Sequence, residues 1–448
     1  MKQLKILILG LMFTGCGDFL SVKPIKNMQI PESIDDAQAL LDNTEFMNIT
    51  PNALVICADE YYLEYNDWNS LLYETQKNLY IWEDEVFSEP PMEADWRNPY
   101  VIVNRSNIVL ETIGGIARDP SNGAAWDNVK GAALFFRGKA FFDLAQLWAP
   151  LFDPSTANEE LGIPLRLTAD FNEKSVRSTN QETYDQIIKD LKEAAELLPV
   201  QTSHVMRPSR AAALGMLARV YLSMSDYESA EKHADLCLSI KDQLIDYNKL
   251  DANASWPFTL FNLEVIFNSY MSGSTHFRRA KIDSTFIESF TDNDLRKELF
   301  FSDVESGGSR FKGNYFASDI QLFNGIAVDE MYLIRAECYA RSGEAQLALA
   351  DLNFLAKHRY NSDGNIFAPS APGEILQLVL EERKKQLLFR GVRWTDLKRL
   401  NKEERFQTTI KRNLNGKLYE LKPNDPRYLL PIPESVIDLS GIEQNIRK

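Results

Sequence analysis

The run Leu217-Ala218-Arg219-Val220-Tyr221-Leu222-Ser223-Met224-Ser225-Asp226-Tyr227-Glu228-Ser229-Ala230-Glu231-Lys232-His233-Ala234 reads as two helices and the turn between them. Ala211, Leu214, Leu217, Ala218 and Tyr221 recur at helical spacing. Ser225-Asp226 breaks that pattern, and Tyr227, Ala230, Ala234 and Leu238 resume it. Upstream, Pro208-Ser209 is a helix-start signal. From Ala218 to Tyr221 to Ala230 the steps are three and nine. The same steps return from Ala336 to Tyr339 to Ala348, across the turn Ser342-Gly343-Glu344. Small residues at such places let two antiparallel helices cross closely.

Leu217, Ala218, Tyr221, Tyr227, Ala230 and Ala234 resemble the tetratricopeptide pattern. Such units stack, each burying its neighbour's apolar face. The two copies lie far apart and irregularly, so large insertions must separate them. Helical signals gather in three blocks, 93–149, 180–241 and 327–400. In the second, Thr179-Asn180-Gln181-Glu182 starts a helix whose apolar positions run from Tyr184 to Leu198 before Pro199. The stretches 50–92, 150–179, 242–326 and 401–448 read as loop-rich. The expected fold is mostly α. No Pro- or Ser-rich linker divides residues 16–448, which therefore read as one domain.

The N-terminus reads separately, as a signal peptide over residues 1–15. Lys2 and Lys5 precede an apolar run from Ile6 to Phe13, and Thr14-Gly15 leads to Cys16. The run is about half the ~20 residues a transmembrane helix needs. Thr14-Gly15-Cys16 resembles a bacterial lipobox, with Phe13 where Leu is usual. Cys16 is thus the expected lipidation site, and the lipid is the expected membrane contact. Stable anchoring takes more than one acyl chain.

The chain has a net charge of −15, and loss of Lys2 and Lys5 makes it more negative. That argues against a nucleic-acid partner, which needs clustered Lys and Arg. Cys57, Cys237 and Cys338 form no CxxC or disulfide framework. His204, His233, His276 and His358 show no close pairing, so neither a metal nor another cofactor is expected. Gly138-Lys139 looks like a phosphate loop, but Ala133 and Ala140 stand where Gly and Ser/Thr belong. GxSxG, HExxH and GxGxxG are absent, and no catalytic residue is assigned. Glu381-Glu382-Arg383 reads as ion pairing on a charged helix.

Motifs spread along the chain resemble the SusD/RagB family of lipid-anchored, nutrient-binding outer-membrane proteins. They include Phe19-Leu20 with Lys23-Pro24, Ala58-Asp59-Glu60-Tyr61-Tyr62, and Trp96-x-x-x-Tyr100 with Asn107. Arg137-x-x-Ala140-Phe141-Phe142-Asp143-Leu144 and Gly162-Ile163-Pro164-Leu165 follow. The C-terminal half is the most distinctive. It carries Glu382-Arg383, Leu387-Leu388-Phe389-Arg390-Gly391, Arg393-Trp394-x-Asp396-Leu397-Lys398-Arg399 and Leu430-Pro431-Ile432-Pro433-Glu434.

The resemblance implies about four tetratricopeptide-like helix pairs and a loop-rich, irregular ligand-binding face. It implies a non-enzymatic protein that binds oligosaccharides and passes them to a SusC-like TonB-dependent transporter. The location implied is the outer membrane, facing the cell exterior. A peptide-binding role, as in RagB-like members, is the alternative; a lipoprotein glycoside hydrolase is a more distant one. Sugars present apolar C–H faces and polar rims, which suit aromatic platforms beside amides or carboxylates. Tyr61, Tyr62, Tyr65, Trp68 and Trp82, with Asn66 and Asp67, form one aromatic segment. Trp256 stands apart from it. These are the expected ligand-binding residues. Trp96, Trp126, Trp148 and Trp394 sit in helix patterns and are expected in the core.

Overall fold

A computed structural model describes residues 31–87, 94–271, 275–361, 366–368 and 371–447. Cys16 and the signal segment lie outside the described residues. The principal helices are α1 (Ala94–Gly114), α2 (Gly123–Trp148), α3 (Asn180–Leu197), α4 (Arg210–Ser223) and α5 (Tyr227–Leu238). After a long insert come α6 (Val328–Ser342), α7 (Ala345–Ala356), α8 (Pro372–Gln386) and α9 (Arg393–Leu400). Each helix from α1 to α7 packs on the next in chain order, and α8 returns onto α6. The fold is mostly α, a tetratricopeptide-like stack with a loop-rich face.

Local signals set the helix ends. Thr179 and Glu182 form a reciprocal capping box at α3, with Thr179 Oγ1 accepting the Glu182 N–H at 3.1 Å. Ser209 caps α4 by accepting the Ala212 N–H at 3.2 Å. Gly343 ends α6 at φ 86°, the left-handed conformation glycine adopts freely. Ala218, Ala230, Ala336 and Ala348 are fully buried, as the hairpin spacing predicts.

Helices α2 and α3 also cross closely. A Cβ on Gly138 would lie 3.0 Å from Leu191 Cγ. Lys139 is buried beside it, its ammonium donating to Asp143 at 2.7 Å and Thr50 at 2.8 Å. Gly138-Lys139 is therefore helix packing rather than a phosphate site. Trp96, Trp148 and Trp394 are core residues, and Trp126 packs against the core edge. Cys57, Cys237 and Cys338 are free and buried.

The stretches between the helical blocks hold more regular structure than their sequence pattern predicts. Tyr65–Asn69 and Glu74–Tyr80 are short helices inside 50–92. Ile410–Leu414 and Lys417–Leu421 form an antiparallel hairpin inside 401–448. Its turn residues Asn415 and Gly416 both have positive φ, at 54° and 82°. Ile49–Thr50, Tyr270–Met271 and Leu322–Phe323 form a small sheet that ties the N-terminal segment to the insert. One hydrophobic cluster extends from Ala37 to Ile442.

Candidate functional site

The insert between α5 and α6 builds a cleft of about 370 Å³. Its lining includes Asn253, Trp256, Phe277, Arg278, Arg310 and Phe311, with Phe389 entering from beyond α8. Strands Phe301–Asp303 and Ser309–Phe311 pair antiparallel and set Arg310 opposite Ser302. The Phe311 and Phe389 rings stack with centroids 5.1 Å apart and planes 12° apart, giving the cleft an apolar surface. Half-buried Trp256 adds an indole. Arg278 is paired to Asp319 at 2.9 Å on the rim. Asn314 is structural: its amide donates to the Ser318 and Gln321 carbonyls at 2.7 and 2.6 Å, holding the loop that carries Asp319.

Of the residues expected from sequence to bind ligand, Trp256 lines this cleft. Tyr61 and Tyr62 line a second cleft of about 310 Å³, with Asp283, Thr285, Lys384 and Arg412. Tyr65 and Trp68 lie on the short helix Tyr65–Asn69, their centroids 6.0 Å apart, with Asn66 and Asp67 between them. Tyr62 and Tyr65 are exposed, and Trp68 is half-buried, its N–H donating to the Lys77 carbonyl at 3.2 Å. The Asp67 carbonyl accepts from Arg279 at 3.0 Å, which ties this helix to the segment beside Arg278.

Two of the expectations need correction. Trp82 is 2 % exposed, its N–H donates to the Cys57 carbonyl at 3.0 Å, and the Arg412 guanidinium lies 4.6 Å from its ring. It is a core residue with no face to offer a ligand. Tyr61 is also buried, its ring tilted against Tyr80 and Phe389 and edge-on to His276, to which it is hydrogen-bonded. Sequence reading missed Phe311, Phe389 and Arg310 as site residues: Arg310 and Phe311 lie in the long insert, and Phe389 reads from sequence only as part of the Leu387–Gly391 motif.

Charge is arranged closely behind the clefts. Burial pushes the Glu60 carboxyl up to about 8, although it accepts the Phe389 N–H at 2.6 Å. Next to it, burial would also raise Asp59, but the Arg393 guanidinium, 2.7 Å away, holds that carboxyl well below its usual range. Burial, with help from Arg412, lowers His276 to about 3, so its ring is neutral at physiological pH. Glu60 thus fixes the backbone of Phe389, a residue at φ 59°, where a bulky side chain is uncommon.

Residues 18–222 match a family model described as starch-binding associating with outer membrane, and residues 329–446 match the SusD family. The chain belongs to the SusD/RagB family. Its SusD/RagB fold recurs in crystal structures at low sequence identity. A SusD superfamily protein from Bacteroides thetaiotaomicron is 20 % identical, with a TM-score of 0.74, covering 93 % of this chain and 100 % of that one. A SusD-like carbohydrate binding protein from Bacteroides vulgatus is 21 % identical, with a TM-score of 0.68, covering 92 % and 97 %. SusD-like protein P2 of Formosa agariphila is 28 % identical over 152 residues, 33 % of this chain and 27 % of that relative. The match therefore spans about a quarter of that relative's length.

The SusD/RagB motifs of the C-terminal half are largely structural. Arg390 pairs with Asp329, Arg393 with Asp59, and Arg399 with Glu337, all buried or nearly so. Glu382 and Arg383 pair with Arg296 and Asp396 inside the fold, so this stretch is a packing element rather than a charged surface.

Proposed function

We propose that this SusD/RagB member binds oligosaccharides in the cleft around Trp256 and delivers them to a SusC-like TonB-dependent transporter. The supporting observation is the cleft itself, where an indole and a stacked phenylalanine pair meet a hydrogen-bonding rim. The protein would act at the outer membrane, facing the exterior, held by lipid on Cys16. It would bind without turnover. Residues 16–448 would work as one domain.

Calorimetry against a panel of oligosaccharides tests the binding step. Peptide binding with no glycan binding would favour the RagB-like alternative, for which the mixed charges of Arg278, Asp319 and Asp303 on the rim are the motivating feature. Reducing-end release from a bound polysaccharide would overturn the non-catalytic reading. Affinity capture from outer membranes tests the partner, and recovery of the protein without any TonB-dependent transporter would count against it.

A further inference from the structure

We propose that the Trp256 cleft selects acidic oligosaccharides, with Arg310 receiving a carboxylate or sulfate group of the sugar. This rests on the glycan-binding reading above and adds a substrate class to it.

The argument is one of uncompensated charge. The chain carries an excess of acidic residues, and most of its buried arginines are paired to carboxylates, Arg412 and Arg447 bonding to backbone carbonyls instead. Arg137, Arg219, Arg296, Arg359, Arg393 and Arg399 each hold a carboxylate at 2.5–2.8 Å. Arg310 is exposed at the mouth of the cleft and has no ion-pair partner among the described residues, so its guanidinium is open to a ligand. It stands on a hairpin strand in the cleft lining.

Lys312, two residues on, likewise lacks a carboxylate partner among the described residues; its ammonium donates to the Ala252 carbonyl at 2.5 Å. Asp303 is the opposing charge, but it accepts the Ser309 hydroxyl at 3.0 Å. Asp303 pairs in register with Ser309 and Arg310 with Ser302, so the two charges are offset along the hairpin and Asp303 forms no ion pair with Arg310. Asp319 is neutralised by Arg278 at 2.9 Å. A guanidinium left free in a concave site is a fork of donors matched to a planar or tetrahedral anion. The cleft walls strengthen its field relative to open solvent. A neutral sugar would leave this group without a matching charge.

The test uses the mature chain and three oligosaccharides of equal length: one of galacturonate, one sulfated and one neutral. Calorimetry at low salt should show at least one acidic ligand bound about tenfold or more tightly than the neutral one, the range expected for a hydrogen bond to a charged group. Comparing the acidic pair identifies carboxylate or sulfate as the preferred group. Added salt should narrow the gap. Arg310→Ala, which removes a side chain with no ion pair to lose, should abolish the preference, so that this variant binds its acidic and neutral ligands equally. Equal or tighter binding of the neutral ligand would overturn the acidic selectivity and leave glycan binding standing. So would a preference that survives in Arg310→Ala. Failure of all three ligands, with peptides bound instead, would overturn both readings.

Discussion

Replacing Trp256 with alanine is expected to weaken oligosaccharide binding by about tenfold or more while leaving the unfolding midpoint nearly unchanged, since stacked aromatics contribute ~0.5–1.5 kcal/mol beyond area burial. Trp82→Ala should do the reverse: removing a buried indole costs about 3–5 kcal/mol of stability. Paired urea titrations and calorimetry check both. The contrast shows what the sequence could supply at this scale. An aromatic-rich segment with amides reads identically whether its rings face solvent or pack inward. What separates Trp82 from Trp256 is Arg412, which comes from the hairpin near the C-terminus and lies against Tyr80 and Trp82. Contacts across that distance leave no local signal.

Glu60 gives a second test at this scale. Its carboxyl rises from 4.5 to about 8 through burial. The folded chain therefore keeps a proton that the unfolded chain releases as pH climbs past 4.5. The stability contributed by this group is present below pH 4.5 and lost as pH rises toward 8. Glu60→Gln keeps an acceptor for the Phe389 N–H and removes the titration. Its stability relative to the natural protein should increase from pH 5 to pH 8 in urea unfolding; a constant difference would contradict the shift.

At the scale of elements, the helix ends and hairpin crossings were legible because their causes are local. Thr179 with Glu182, Ser209, and the paired alanines each act within one turn or one hairpin. The Ile410–Leu421 hairpin has a local signal too, since Asn415-Gly416 is a strong turn pair between alternating residues, although 401–448 as a whole reads as loop-rich. The cleft hairpin Phe301–Phe311 carries a weaker signal, with Gly307 and Gly308 in its turn and few residues in its strands.

Gly215 marks an element contact that only the folded chain reveals. A Cβ there would lie 2.6 Å from Ile326 Cγ2, where α4 meets the strand leading into α6. Gly215→Ala should therefore destabilise by about 1–2 kcal/mol, because overpacking outweighs the gain in helix propensity. Thermal denaturation checks the sign, and a raised midpoint would show that Ile326 yields easily.

Over the whole molecule, buried charges join segments distant in sequence. Arg393 reaches Asp59, Arg296 reaches Glu382, Arg359 reaches Glu264, and Glu60 holds Phe389. Breaking one partner of such a pair is costly because the other charge stays buried. Unfolding in urea should accordingly follow one transition by both tryptophan fluorescence and circular dichroism. Two separated transitions would divide the chain into independent units. Membrane attachment belongs to this scale as well. Cys16→Ala is expected to move the protein to the soluble fraction with its fold unchanged, and unaltered retention would refute lipidation at that position.

Helices α5 and α6 pack directly on each other, yet the chain between them, 239–327, supplies nearly the whole cleft lining. The entropy of closing such a loop grows only with the logarithm of its length, so each doubling adds about 0.6 kcal/mol. The cleft-lining loops of the insert can therefore lengthen or shorten with little penalty to the stack that carries them, provided Glu264 and Arg296 keep their buried partners. It behaves as a cassette held at fixed pins: Glu264, Arg296 and Tyr270 stay locked to the rest of the fold while the cleft-lining loops between them are free to vary. Ligand preference in such a protein can drift quickly while its architecture stands still.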